Sequence, residues 1–269
     1  MAFTSPVLTM MMRAAEKASK SLLRDFNEVE HLQVSRKGPG DFVSAADKRA
    51  EEIIYEELSR ARPDFGFLME ESGEVVGRGG EFRFIIDPLD GTTNFLHGIP
   101  HWCISIGLEK KNADGSLEIV SGLVFDPVKN EMFFAEKGTG AFLQRKRLRV
   151  SARDDLTLAV IGGGDCVRRN EALKAALLVS LEKIVMNTAG FRRLGAAALD
   201  LSYVASGRLD AFWEMRLAPW DCAAGTLIVR EAGGKVESLK GDSNPVYGEV
   251  ILASNLVLHE QVKAMITVA

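Results

Sequence analysis

The sequence has only three cysteines, Cys103, Cys166 and Cys222, odd in number and far apart. That excludes a disulfide framework and a CxxC metal site, and it suits a reducing cytoplasm. Cys103 in an apolar segment and Cys222 on an expected helix read as small buried hydrophobes. No apolar run reaches the roughly 18–20 residues of a membrane-spanning helix, so no membrane partner is expected. The stretch MAFTSPVLTMMMRAAEKASKSLL lacks a basic residue ahead of its apolar part and a small-residue cleavage site after it, so it is not read as a secretory signal. An excess of positive charge is also missing. The formal net charge of −4 argues against a general nucleic-acid binder and suits a pocket that gathers cations. GxxxxGK, HExxH, GxSxG and an EF-hand loop are all absent.

What is present reads as two α/β lobes. Ser5-Pro6 followed by Val7, Met11, Ala14, Ala18 and Leu22 predicts an amphipathic helix. A second helix is predicted through SAADKRAEEIIYEELSRAR, with Ser44 as N-cap, Asp47 at the capping-box position and Ala50, Ile53, Ile54 and Leu58 on one face. FGFLM, FRFII, WCISIGLE, SLEIVSGLVF and EMFFAE predict a mostly antiparallel sheet, followed by a turn at KGTGAFLQ. After about residue 150, strands and helices alternate through TLAVIGG, NEALKAALLVSLEKI, GAAALDLSYVASG, LDAFWEM and DCAAGTLIVREAGG, ending in EVILAS and an Asn255-capped helix. The expected division is an N-terminal lobe, 1–150, and a C-terminal lobe, 151–269, sharing a cleft.

Acids collect where expected strands end. FGFLM runs into Glu70 and Glu71, FRFII runs into Asp87 and Asp90, and Asp221 opens a helix after Pro219-Trp220. Each has a plain alternative: Glu70-Glu71 as solvated charges, Asp87-Pro88-Leu89-Asp90 as a polar turn, Asp221 as a helix cap. Together they suit hard dications such as Mg²⁺, which are held by a few carboxylates and keep several waters. A pair of such ions, ~3.5–4 Å apart, can clamp both oxygens of an in-line displacement. Gly91 and Thr92-Thr93-Asn94 then open a helix, whose free amides suit a phosphate. This points to hydrolysis of a phosphate ester.

MEES, DPLDGTTNF and PWDCAAG…VREAGG, in this order, resemble the three signatures of the inositol monophosphatase family, with similarity from GDFVSAAD to ILASN. The resemblance implies a layered αβαβα sandwich, commonly dimeric, and a lithium-sensitive, Mg²⁺-dependent phosphatase acting on a polyol phosphate, foremost myo-inositol monophosphate. It implies that Glu70, Asp87 and the Leu89 carbonyl hold one Mg²⁺, and that Asp87, Asp90 and Asp221 hold the second. Glu70 with Thr92, helped by Asp47, would position and activate the nucleophilic water; capping is the competing role for Asp47. The Gly91 and Thr92 amides would bind phosphate, while Glu214 and the backbone at Gly195-Ala196 would take substrate hydroxyls. Ala196 departs from the Thr or Ser that relatives often carry there, which removes one polyol hydrogen bond.

Within the family, fructose 1,6-bisphosphate, histidinol phosphate, NADP or a 3′-phosphonucleotide are alternative substrates. The arginines of GGGDCVRR and NTAGFRRLG are read either as holding a second phosphate or as surface residues. Some bacterial relatives are implicated in transcription complexes, and the basic segment QRKRLRVSAR, 144–153, is a candidate surface for a transcription-factor partner or RNA. It has no interleaved aromatics for base stacking, so it reads equally as a solvated hairpin, and nucleic acid is not the expected partner.

Overall fold

Ser5 starts the first helix, α1 (Pro6–Asn27): its Oγ accepts the Leu8 amide at 3.1 Å, and Pro6 occupies the first turn, where no amide is needed. The computed structural model describes residues 4–28, 34–38, 41–164 and 171–268, with backbone only for 34–38 and 41–44. The Ser44 cap expected for the second helix, together with Cys166 and the arginines at 168 and 169, therefore lies outside the described side chains or residues. A short antiparallel hairpin, β1 (Val34–Gly38) and β2 (Asp41–Ser44), leads into α2 (Ala45–Ala61). Met11, Ala14, Ala18 and Leu22 of α1 and Ala50, Ile54 and Leu58 of α2 are fully buried in one core.

That core covers one face of an eight-stranded sheet. Its strands are β3 (Gly66–Met69), β4 (Gly73–Val75), β5 (Phe82–Asp90), β6 (Cys103–Lys111), β7 (Leu117–Asp126), β8 (Glu131–Glu136), β9 (Gly140–Leu143) and β10 (Lys146–Arg147). Their order is β10-β9-β8-β7-β6-β5-β3-β4, and among them β3 and β5 alone pair in parallel. Two expectations are corrected here. The segment at 87–90 is a continuation of β5 with a register shift between Asp87, opposite Ser105, and Asp90, opposite Cys103. Pro88 sits inside that irregularity, where its missing amide does not interrupt the ladder. KGTGAFLQ is only partly a turn, because Gly140–Leu143 pair with β8.

The second sheet has five strands in the order β12-β11-β13-β15-β14: β11 (Val160–Gly163), β12 (Gly190–Arg192), β13 (Ala211–Met215), β14 (Lys235–Gly241) and β15 (Gly248–Ser254). Between the two sheets lie α5 (Ala197–Ala205) and α6 (Pro219–Glu231), packed in one core with Ile85, Val124, Phe133, Phe212 and Ile251. Helices α4 (Glu171–Asn187) and α7 (His259–Met265) cover the outer face with Trp213, Leu252 and Val262. Asn255 Oδ1 accepts the Leu258 amide at 2.8 Å, but this bond closes the turn before α7; the helix itself begins after Leu258 with no side-chain cap, so the expected Asn255 cap is corrected to a turn. The result is the expected helix–sheet–helix–sheet–helix layering.

The small residues of α6 set its depth. A Cβ on Gly122 of β7 would lie 2.8 Å from the Ala224 carbonyl oxygen, and one on Gly225 would lie 2.6 Å from Leu201. Glycine and alanine therefore let α6 press onto both the large sheet and α5. At the far end of the large sheet, Arg83 Nε reaches Glu109 at 2.6 Å and Arg83 Nη2 reaches the Tyr247 hydroxyl at 2.8 Å. That clamp ties β5 and β6 to the loop entering β15.

Candidate active site

The open groove lined by Thr4, Ser5, Leu108, Val120 and Glu136 encloses about 490 Å³, yet it contains little chemistry. Its carboxylate, Glu136, already accepts the Ser5 amide at 3.0 Å. A second gathering, Glu237, His259 and Glu260, has donor atoms close enough for a metal. Lys235 Nζ stands 2.9 Å from Glu237 and 3.0 Å from Glu260, and Lys263 also pairs with Glu237, so ammonium groups already supply the positive charge there.

The acids singled out in the sequence behave differently. Asp87, on the face of β5 that looks toward α6, is buried and is held well above the usual carboxylate range, first by burial and then by the charges of Glu70, Asp90 and Asp221. Asp221 is raised first by burial and then by Asp90, and its charge in turn raises Asp87. Like charges crowded in this way oppose one another's ionisation, and a cation between them would relieve that opposition. Local structure enforces the encounter. Ser105, paired with Asp87 across the strands, donates to the Trp220 carbonyl at 3.2 Å and so seats the start of α6 beside β5. Helix α6 begins at Pro219 with Ala218 as its N-cap, so Asp221 is not the N-cap expected; it stands at the third helical position and accepts the Ala218 amide at 2.7 Å, alongside its membership of the cluster.

Asp90 is pushed up to about 7 by burial, with the charges of Glu214 and Glu70 adding, against the lowering pull of the Ala198 amide. Its Oδ2 accepts that amide at 2.7 Å and the Cys103 thiol at 3.7 Å. Asp87 Oδ1 accepts the Leu89 amide at 2.9 Å, and the Leu89 carbonyl accepts the Thr92 hydroxyl at 3.0 Å. Gly91, at φ 93°, begins the short helix α3 (Thr92–Leu96), whose start no side chain caps. A Cβ at Gly91 would also come within 3.1 Å of the His101 carbonyl oxygen, so backbone conformation and space both require glycine.

Glu70 follows β3, and its amide donates to the Ile86 carbonyl at 3.2 Å. The next turn is held by Glu51 of α2, which accepts the Glu71 amide at 2.8 Å and the Ser72 hydroxyl at 2.5 Å. Asp47 lies one turn earlier on the same helix and is also buried. Glu214, 7% exposed, projects from the Phe212 face of β13, and its charge acts on Asp90. The Gly195-Ala196 backbone is brought to α3 by Asn94, whose Nδ2 donates to the His101 and Leu194 carbonyls, both at 2.8 Å.

Sequence reasoning missed Glu51, Asn94 and Asp200. Asp200 on α5 is 1% exposed, and burial followed by the charges of Glu214 and Asp90 raises its carboxyl well above the usual carboxylate range. No local pattern distinguishes these residues, because each acts on chain remote in sequence. Arg192 and Arg193 are exposed.

An all-oxygen set of crowded carboxyls, three of them raised, fits a hard dication better than it fits bare solvent. Helices in layers around two sheets, with such a cluster where the large sheet meets the middle helix layer, define a mixed α/β protein with a site of the metal-dependent hydrolase kind. The chain belongs to the inositol monophosphatase family, whose model matches residues 4–267. It is 51% identical over 251 residues to an inositol-1-monophosphatase of Rhizobium meliloti, covering 93% of this chain and 92% of that protein. It is 42% identical over 253 residues to the Nus factor SuhB of Pseudomonas aeruginosa, covering 93% and 92%. The crystal structure of extragenic suppressor protein suhB from Bartonella henselae superposes with a TM-score of 0.91 at 49% identity, covering 97% of this chain and 98% of that one.

Proposed function

We propose that the acid cluster is the centre of a phosphomonoesterase that converts myo-inositol monophosphate into inositol and phosphate. The chain is an inositol-phosphate phosphatase of its family, and the observation that carries the reading is the crowding of Asp87, Asp90 and Asp221 beside Glu70. Family members are generally metal-dependent; for this chain we propose Mg²⁺, held by Glu70, Asp87, the Leu89 carbonyl, Asp90 and Asp221. When bound, the ions supply positive charge for the developing phosphoryl oxygens and make water a better nucleophile.

The chain's own residues do the rest of the work in this reading. Glu70 and Thr92 orient the attacking water, and Asp47 supports them from α2. The Gly91 and Thr92 amides take a phosphate oxygen, while Glu214 and the Gly195-Ala196 backbone receive substrate hydroxyls. The lobes meet near residue 150, the N-terminal one carrying most of the metal ligands and the C-terminal one carrying Asp221 and the substrate contacts. Phosphate release from a panel of esters tests the substrate. The expected result is the highest kcat/KM on myo-inositol 1-phosphate, and a preference for fructose 1,6-bisphosphate, histidinol phosphate, NADP or a 3′-phosphonucleotide would replace it.

Two proposals concern partners. Leu178, Val179, Val185 and Met186 of α4 are exposed apolar side chains, which supports a homodimer, checked by light scattering. The relatives named Nus factor, together with the exposed stretch 144–147, support a transcription-complex partner beside the enzyme activity. A pull-down with an inactive metal-site variant separates that role from catalysis. No helix among the described residues is long and apolar enough to cross a membrane.

A further inference from the structure

Strand β11 runs parallel to β13, with Ile161 opposite Ala211, Gly162 opposite Phe212 and Gly163 opposite Trp213. Gly164 continues this register toward Glu214. A Cβ built on Gly164 would lie 2.0 Å from Glu214 Oε1 and 2.2 Å from both Cδ and Oε2. The Glu214 carboxylate thus occupies the volume that any side chain at position 164 would need.

The neighbouring glycines meet different demands. A Cβ on Gly162 would strike Leu209 Cδ1 at 2.8 Å, and one on Gly163 would strike the Trp213 carbonyl oxygen at 2.8 Å. Both are matters of core packing. Gly164 is not among the glycines with positive φ, so left-handed backbone is not the reason for its identity. Its obstacle is the far end of a flexible side chain, which can swing aside at little cost to the fold.

We propose that Gly164 is a positioning residue of the substrate site: its missing side chain sets where the Glu214 carboxylate stands, and thereby sets the preference for polyol phosphates over esters without hydroxyls at that place. This rests on the reading of Glu214 as an acceptor for substrate hydroxyls. A methyl group at 164 forces the carboxylate to move by about 1 Å or more, enough to take a hydrogen bond out of its working geometry. Gly164 itself carries no side chain into the acid cluster, so its effect on the site runs through the Glu214 carboxylate.

The test is a double-mutant cycle read as the ratio of kcat/KM on myo-inositol 1-phosphate to kcat/KM on 4-nitrophenyl phosphate. Gly164→Ala should lower that ratio about tenfold, the scale of a lost hydrogen bond to a charged group. Glu214→Ala should lower it at least as far. The double variant should match Glu214→Ala within about twofold, because the displaced carboxylate is already gone. Additive losses, or equal losses on both esters in Gly164→Ala, would overturn the proposal. If Glu214→Ala lowers the ratio and Gly164→Ala does not, the positioning role alone falls; if Glu214→Ala leaves it unchanged, the reading of Glu214 falls, and the proposal with it. Should Gly164→Ala fail to fold, the double variant should fold, and its failure too would count against the proposal.

Discussion

Asp90 Oδ2 accepts the Ala198 amide at 2.7 Å, so a carboxylate of the acid cluster serves as the side-chain cap that α5 lacks at its own N-cap, Ala196. One residue thus joins the second signature, DPLDGTTNF, to the helix that follows the Gly195-Ala196 segment. Asparagine caps helices about as well as aspartate but brings no charge. Asp90→Asn should therefore nearly abolish phosphate release while keeping the fold. The charge it removes sits in a cluster where burial and like charges oppose ionisation, so the metal-free variant should melt at a higher temperature than the metal-free wild type in EDTA. A lower melting temperature would mean that repulsion is not what governs the cluster.

Glu51 holds the turn carrying Glu70 through the Glu71 amide and the Ser72 hydroxyl. Hydrogen bonds to a buried charged group are worth roughly 1.5–3 kcal/mol each. Glu51→Ala removes both and should lower stability by about 3–6 kcal/mol in urea unfolding and raise the Mg²⁺ concentration for half-maximal activity. An unchanged Mg²⁺ requirement would confine Glu51 to the fold.

Glu214 should act on substrate choice. Glu214→Gln keeps the side chain's length but weakens its acceptor, so the cost should be largest with polyol monophosphates and small with an aryl phosphate. Equal losses on both would assign it to the metals or the fold.

On the surface, Glu237 is depressed to about 2, chiefly by Lys263 and then Lys235, with His259 adding. A carboxyl whose folded pKa lies below its unfolded value stabilises fully above the unfolded value, near 4.5, and loses that contribution as pH falls toward 2. Glu237→Gln should therefore lower the melting temperature at pH 7, and the gap to wild type should close progressively from about pH 5 to 2. A gap independent of pH would point to packing instead.

Much of this was legible in the sequence because it is local. The periodicity of α1 and its Ser5-Pro6 start each lie within a few neighbouring residues. What was not legible depends on remote partners. Strands β4 and β12 have three residues each, too few for alternation to register. The segment at 87–90 looked like a turn because Pro88 and Gly91 are turn residues; pairing with Cys103 and Ser105 keeps it in the sheet as an irregular strand end. The same pairing places Asp87 against Asp221, and nothing near either residue announces that encounter. Asn94, Asp200 and Glu51 stay silent for the same reason.

The central claim is that the carboxyl cluster holds a dication without which the ester is not cleaved. The direct measurement is phosphate release from myo-inositol 1-phosphate by protein stripped with EDTA, before and after adding Mg²⁺, for the wild type and for Asp221→Asn. The account predicts no release from stripped protein, full recovery with Mg²⁺ in the wild type and almost none in the variant. Undiminished turnover in EDTA, or a variant that Mg²⁺ restores as fully as the wild type, would contradict it.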